Sequence, residues 1–128
     1  MTRILLVEDS IDCLTLLQIQ LEWMGYEVEA LAQAEDALIA ARRTPPDVIV
    51  SDLGMPGMDG FEFIKHIREM PALIAIPAIA LTGAARDRDI QQALAVGFTA
   101  HLAKPVEAGL LGHRIEEVTA QKALRAHF

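Results

Sequence analysis

The 128-residue chain has a single cysteine, Cys13, which excludes an internal disulfide and fits a reducing compartment. It has no apolar run approaching the roughly 20 residues of a membrane-spanning helix. Its first residues, Met1-Thr2-Arg3-Ile4, enter a strand-like run at once and lack the parts of a secretory signal. Positive charge is scarce: 11 Lys and Arg stand against 18 Asp and Glu, a net charge of −7. That balance argues against non-specific binding to nucleic acid or an anionic membrane. These shortages predict a cytoplasmic protein with no nucleic-acid and no membrane partner. Only 5% of residues are aromatic, so aliphatic side chains and alanine must fill the core. With 52% hydrophobic and 23% charged residues, the chain reads as one globular domain over residues 1–128.

Residues 4–7, Ile-Leu-Leu-Val, form a continuous apolar run, as expected of a strand covered on both faces. Ile11, Leu14, Leu17, Leu21 and Met24 then recur at helical spacing, and Gly25 supplies a stop. Residues 26–30 alternate in part and predict a more exposed second strand. Ala34, Ala37, Leu38 and Ala41 make a small-residue helical face, closed by Arg42-Arg43 and Pro45-Pro46. Residues 48–50, Val-Ile-Val, predict a buried third strand between Pro46 and a Gly/Pro-rich turn. Phe61, Ile64, Ile67 and Met70 mark a third helix that begins near Gly60 and is ended by Pro71. Residues 77–82 predict a fourth strand, with Pro77 tolerated at its first position. Ile90, Ala93, Leu94 and the stop Gly97 describe a fourth helix, and residues 98–103 a fifth strand ended by Lys104-Pro105. Leu111, Ile115 and Val118 describe a last helix, which Gly109 and Gly112 weaken by about 1 kcal/mol each relative to alanine. Residues 120–128 continue that helix or fray. Strand and helix alternate five times. This pattern specifies an α/β fold, a doubly wound five-stranded parallel sheet with helices on both faces and right-handed crossovers.

Polar groups collect at the carboxyl ends of these strands, where ligands bind in open parallel sheets. The first strand runs into Glu8 and Asp9, the third into Asp52, the fourth ends on Thr82 and the fifth runs into Lys104. Taken singly, each has an ordinary explanation. Asp52, or Glu8-Asp9, can cap the helix that follows. Thr82 can be a plain strand-end hydroxyl and Lys104 a surface lysine. Taken together, three carboxylates in one cleft repel one another. Lys104 compensates one charge, and a divalent cation would compensate the rest. Oxygen ligands with no histidine or cysteine nearby favour Mg²⁺. A metal, an ammonium, a hydroxyl and an aspartate suit phosphoryl transfer to a carboxylate, with Asp52 attacking phosphorus.

Four motifs carry a resemblance over about residues 3–119. They are Leu6-Val7-Glu8-Asp9, the stretch Ser51-Asp52-Leu53-Gly54-Met55-Pro56-Gly57-Met58-Asp59-Gly60, Ala80-Leu81-Thr82-Gly83, and Ala103-Lys104-Pro105. In this order and spacing the chain resembles the receiver domains of response regulators in two-component signalling. Residues 97–106 are particularly similar to receivers attached to hybrid sensor histidine kinases. The resemblance implies a flavodoxin-like fold with strand order 2-1-3-4-5. It also implies that Asp52 accepts a phosphoryl group from a phosphohistidine of a histidine kinase or histidine phosphotransfer protein. Mg²⁺ would be held by Asp9 directly, by Glu8 partly through water, by Asp52 and by the backbone carbonyl of Gly54. Lys104 would contact the phosphoryl group, Thr82 would bind it on arrival, and the Lys104-Pro105 bond would be cis. Phosphorylation would switch a surface near the fourth helix, fifth strand and fifth helix that binds a protein target. Such a domain catalyses its own phosphorylation and dephosphorylation and is not an enzyme with a separate substrate. A Mg²⁺-dependent aspartyl-phosphate phosphohydrolase shares the chemistry, but usually carries a second Asp where this chain has Gly54. A segment of a hybrid histidine kinase is a further alternative.

The remaining features read as structural. Asp59-Gly60 is a turn and helix start, Met55, Met58 and Met70 are packing or turn residues, and Cys13 is an inert helix residue. Trp23 is expected to be partly buried, and Arg86 with Arg88 to form a solvated helix start. Two departures from the family pattern stand out. His101 lies three residues before the lysine, where stand-alone regulators usually carry a Tyr or Phe that rotates inward. The imidazole takes that switch role, or switching rests on Thr82 and the backbone, or His101 is an exposed structural residue. Gly54 and Ala84, two residues beyond Asp52 and Thr82, carry no group to position or block water, so a phosphoryl lifetime in the family's middle range is expected.

Overall fold

Strands β1 (Arg3–Val7), β2 (Glu27–Leu31), β3 (Val48–Asp52), β4 (Ala78–Thr82) and β5 (Ala100–Ala103) form one parallel sheet. Their order is β2-β1-β3-β4-β5, as the resemblance implied. The helices are α1 (Ile11–Trp23), α2 (Ala34–Arg43), α3 (Gly60–Glu69), α4 (Asp87–Val96) and α5 (Ala108–Ala126), with a 3-10 turn at Pro71–Leu73. This computed structural model describes residues 1–83 and 87–126, so residues 84–86, with Ala84 and Arg86, and residues 127–128 lie outside it. Among the described residues no helix is long and apolar enough to cross a membrane.

Side chains alternate across a strand, so each apolar run feeds two cores. Leu5, Val7, Ile49, Ala78 and Ala80 face a cluster closed by α2, α3 and α4, where Ala37, Phe63, Ile64, Ile67 and Ala93 are fully buried. Ile4, Leu6, Val48, Val50, Ile79 and Leu81 face the opposite cluster, closed by Leu14, Leu17 and Leu21 of α1 and Leu111, Ile115 and Val118 of α5. The shortage of aromatics is met as the composition requires: alanines on α2 and β4 let helix and sheet approach closely, and Phe63 is the largest fully buried side chain. β2 is partly exposed along its length, which fits its alternating sequence and its edge position.

Helix ends follow local chemistry. Ser10 caps α1 by accepting from Cys13 N, and Asp59 caps α3 by accepting from Glu62 N at 2.9 Å. Pro71 does end α3, and it also opens the short 3-10 turn, a first-turn position that suits proline. Arg68 of α3 clips this corner together: Nε and Nη2 donate to the Gly97 carbonyl at 3.0 and 2.8 Å, and Nη1 to those of Leu73 and Ile74. Trp23 departs from expectation. It lies on the outer face of α1 and is 87% exposed, because Leu14, Leu17 and Leu21 already fill the inward stripe.

The loop from β3 to α3 closes where Gly60 N donates to the Leu53 carbonyl at 2.9 Å. A Cβ at position 60 would collide with the Asp52 carbonyl oxygen and lie 2.7 Å from Leu53 Cα, both immobile backbone. Gly60→Ala is therefore expected to destabilise the protein by about 1–3 kcal/mol, the usual cost of overpacking. Urea unfolding checks this, and unchanged stability would contradict it. A second expectation concerns Tyr26, whose hydroxyl donates to Glu116 Oε1 at 2.6 Å. Burial, then the Glu116 bond and charge, push its pKa up to about 12. A raised value means that this contribution to stability is full below the ordinary phenol value of 10 and is lost as pH rises through about 12. Tyr26 is the only tyrosine, so phenolate absorbance follows it alone. Glu116→Gln should lower the midpoint, and an ordinary midpoint in the folded wild type would contradict the contact.

Candidate functional site

Strand register assembles the site. Val7 pairs with Ser51 and Thr82 with Ala103, so Glu8 and Asp52 follow side by side, and Lys104 emerges beside Thr82. This is the edge where chain order reverses between β1 and β3, the switch point at which open α/β sheets bind ligands. The structure brings Glu8, Asp9, Asp52, Thr82, Gly54 and Lys104 to this one end of the sheet.

Lys104 Nζ donates to Asp52 Oδ2 at 2.8 Å and lies 3.0 Å from Glu8 Oε2. Both carboxylates are nearly inaccessible, Glu8 1% and Asp52 4% exposed, whereas Asp9 is exposed. Glu8 Oε1 accepts from Ser10 N at 3.2 Å, and Lys104 is the ion-pair partner of the buried Oε2. Burial pushes the Glu8 pKa up; Lys104 opposes that shift and the Asp52 charge adds to it. Burial alone would lower the Lys104 pKa, but its bonds to Asp52 and Glu8 outweigh burial and hold it above the ordinary lysine value. Asp52 Oδ1 accepts only a long bond of 3.3 Å from Gly54 N among the described residues.

A cleft of about 560 Å³ opens above Asp52, lined by Gly54, Thr82 and Lys104 and rimmed by Asp59, Phe61 and Asp89. Thr82 is buried, and its Oγ1 donates to the Leu102 carbonyl at 3.5 Å rather than to Asp52. The Lys104-Pro105 bond is cis. His101 does not line the cleft. It pairs with Ala80, its buried Nδ1 has no hydrogen-bond partner among the described residues, and its neighbour Leu102 packs on the α1/α5 side.

The donor set fits a hard divalent ion. One oxygen each from Glu8, Asp9 and Asp52 lie within 4.8 Å of one another, and these three carboxylates outnumber the one lysine that Glu8 and Asp52 share. All three donors are carboxylates, the chemistry Mg²⁺ prefers. Two interactions were not legible in the sequence. Glu35 of α2 accepts from Met58 N at 3.1 Å, and Arg68 holds Gly97; an acid in a helix's first turn and a base in its last were their only signals.

A model of the response regulator receiver domain matches residues 4–116. The chain is 46% identical over 104 residues to a 14.6 kDa protein of Leptolyngbya boryana from the sodA1 3′ region, covering 81% of this chain and 79% of that one. It is 37% identical over 118 residues to the transcriptional regulatory protein AfsQ1 of Streptomyces coelicolor, covering 92% of this chain but 51% of that protein. The chain thus spans about half the length of such regulators. Among solved structures, chemotaxis protein CheY4 of Vibrio cholerae superposes with a TM-score of 0.89 at 36% identity, covering 92% of this chain and 98% of that one.

Lys104→Met would leave Glu8 and Asp52 buried without their cation. The expected loss at neutral pH is about 1–3 kcal/mol, less than the roughly 3–5 kcal/mol of a fully buried pair because the lysine is part-exposed. The deficit should shrink in acid. Glu8's raised pKa gives a contribution that is full below the ordinary 4.5 and is lost as pH rises through its folded value, so protonation relieves the variant. Lys104's own contribution in the wild type is full below 10.5 and is lost only above its raised folded value. Urea unfolding across pH measures both trends. A variant as stable as wild type at pH near 7 would contradict the reading.

Proposed function

Since the chain belongs to the response regulator receiver family, we propose that it is the phosphoacceptor of a two-component phosphorelay, taking a phosphoryl group on Asp52. The observation that carries this reading is Lys104 held 2.8 Å from Asp52 and 3.0 Å from Glu8 at the floor of an open cleft. The donor is a phosphohistidine on a histidine kinase or a histidine phosphotransfer protein. The same chemistry serves whether the domain stands alone or is joined to a kinase.

Asp52 Oδ1 is the edge of the carboxylate left free by Lys104, and it attacks phosphorus. The new O–P bond forms as the N–P bond breaks, and its electron pair returns to the imidazole nitrogen of the donor. Lys104, a compact point charge, follows the oxygens of the arriving group. Thr82 lines the same cleft, and its weak bond to the Leu102 carbonyl is readily exchanged for a phosphoryl oxygen. Asp9, Asp52, Glu8 (partly through water) and the Gly54 carbonyl would hold Mg²⁺, which neutralises charge on the transferring group.

Phosphorylation adds negative charge beside Thr82 and draws that residue inward, which biases α4, β5 and α5 toward an arrangement that binds a protein target. His101 lies on β5 in this path, and its buried Nδ1 has no hydrogen-bond partner among the described residues. The scarcity of basic residues leaves a protein, not nucleic acid or membrane, as the direct partner in the cytoplasm. Transcriptional regulation is a property named for the longer relatives.

Acetyl phosphate with Mg²⁺ should place an acid-stable, hydroxylamine-labile label on wild type and none on Asp52→Asn. Beryllofluoride, standing in for the phosphoryl group, should shift amide resonances through β5 and α4. His101→Ala should keep the label and lose the distant shifts. Labelling without Mg²⁺, or of Asp52→Asn to the wild-type extent, would overturn the proposal.

A further inference from the structure

The loop between Asp52 and α3 carries Gly54, yet it has few anchors. Leu53 N bonds the Leu81 carbonyl and Gly60 N the Leu53 carbonyl, closing the loop at its base. Between them Met55 inserts its side chain into the core. Gly54 N makes a long bond to Asp52 Oδ1 at 3.3 Å, and among the described residues one hydrogen bond ties the outer loop to an element it does not directly join: Met58 N donates to Glu35 Oε1 at 3.1 Å, across 23 residues of sequence. Gly57 is matched to that bond. Its φ of +74° turns the chain so that the next N–H faces α2, and a Cβ there would stand 3.3 Å from the same Glu35 oxygen. An α2 acid and a loop glycine thus form one device.

We infer that Glu35 is a positioning residue for cation binding, acting on the Gly54 carbonyl through the Met58 N–H. This rests on the proposal above that Gly54 is a ligand. Glu35 touches neither the ion nor the phosphoryl group. It acts as groups outside a metal's ligand shell commonly do, by removing alternative orientations of a ligand. The carboxylate is exposed, so the effect should fall below the roughly 10–100-fold losses seen for buried outer-shell partners.

Two measurements on Glu35→Ala, Glu35→Gln and wild type test this. In metal-free protein, Met58 amide exchange should quicken in Glu35→Ala and stay slow in Glu35→Gln, which keeps the acceptor oxygen. In amide-shift titrations with Mg²⁺, Glu35→Ala should bind about three- to tenfold more weakly, in the range of one lost hydrogen bond, while Glu35→Gln stays within about twofold of wild type. A merely structural residue would lower the urea midpoint and leave Mg²⁺ affinity unchanged, and that result overturns the inference. So does a Glu35→Gln variant as weak as Glu35→Ala, since charge and not the bond would then be responsible. Failure of the wild type itself to bind Mg²⁺, with Met58 exchange still governed by Glu35, would overturn the proposed ligand set and leave the loop anchor standing.

Discussion

One ammonium between two buried carboxylates is the constraint on which the site depends. Glu8 and Asp52 stand at the ends of adjacent apolar strands, where water is largely excluded. Two such charges are costly to bury unless paired. Lys104 meets both, at 3.0 and 2.8 Å, from the end of the fifth strand. The pairing leaves Asp52 Oδ1 with only a long hydrogen bond, from Gly54 N, among the described residues. With exposed Asp9 beside them, the site holds more negative charge than one lysine answers. That residual charge would suit a divalent cation, and on the function proposed above the cation and Lys104 would together receive the phosphoryl group.

The fold exists around this arrangement as two cores back to back. Strict alternation in β1, β3 and β4 sends every second side chain to α1 and α5 and the rest to α2, α3 and α4. Register then brings the strand ends level, so residues 8, 52 and 104 meet although they are far apart in sequence. Of the helices packed on the sheet, α4 is held least: Ala93 is its one buried residue among those described, and its far end is fixed by Arg68 through Gly97.

Much of this was legible in the residues. Unbroken apolar runs marked the central strands, and the acids, threonine and lysine just beyond them marked the cleft. What could not be read was geometry among distant side chains. Nothing about Lys104 said that it would span both Glu8 and Asp52 rather than Asp52 alone. Glu35 looked like any acid in a first helical turn, and its bond to Met58 depends on how α2 lies beside the loop. Trp23 was misplaced because size and aromaticity suggest burial, whereas the inward stripe of α1 was already complete with three leucines. His101 reads one way from its position before the lysine and another from its buried Nδ1, because a rotamer is not encoded in spacing.

Excess negative charge at the sheet's end, awaiting a divalent ion, is the central claim. Its most direct test is the thermal unfolding midpoint of the metal-free protein as Mg²⁺ is added. Binding to the folded state alone should raise the midpoint progressively, toward about 2.7 kcal/mol of added stability at a hundredfold excess over the dissociation constant. The rise should vanish in Asp9→Asn. A midpoint that ignores Mg²⁺, or one that rises equally in Asp9→Asn, would contradict the account.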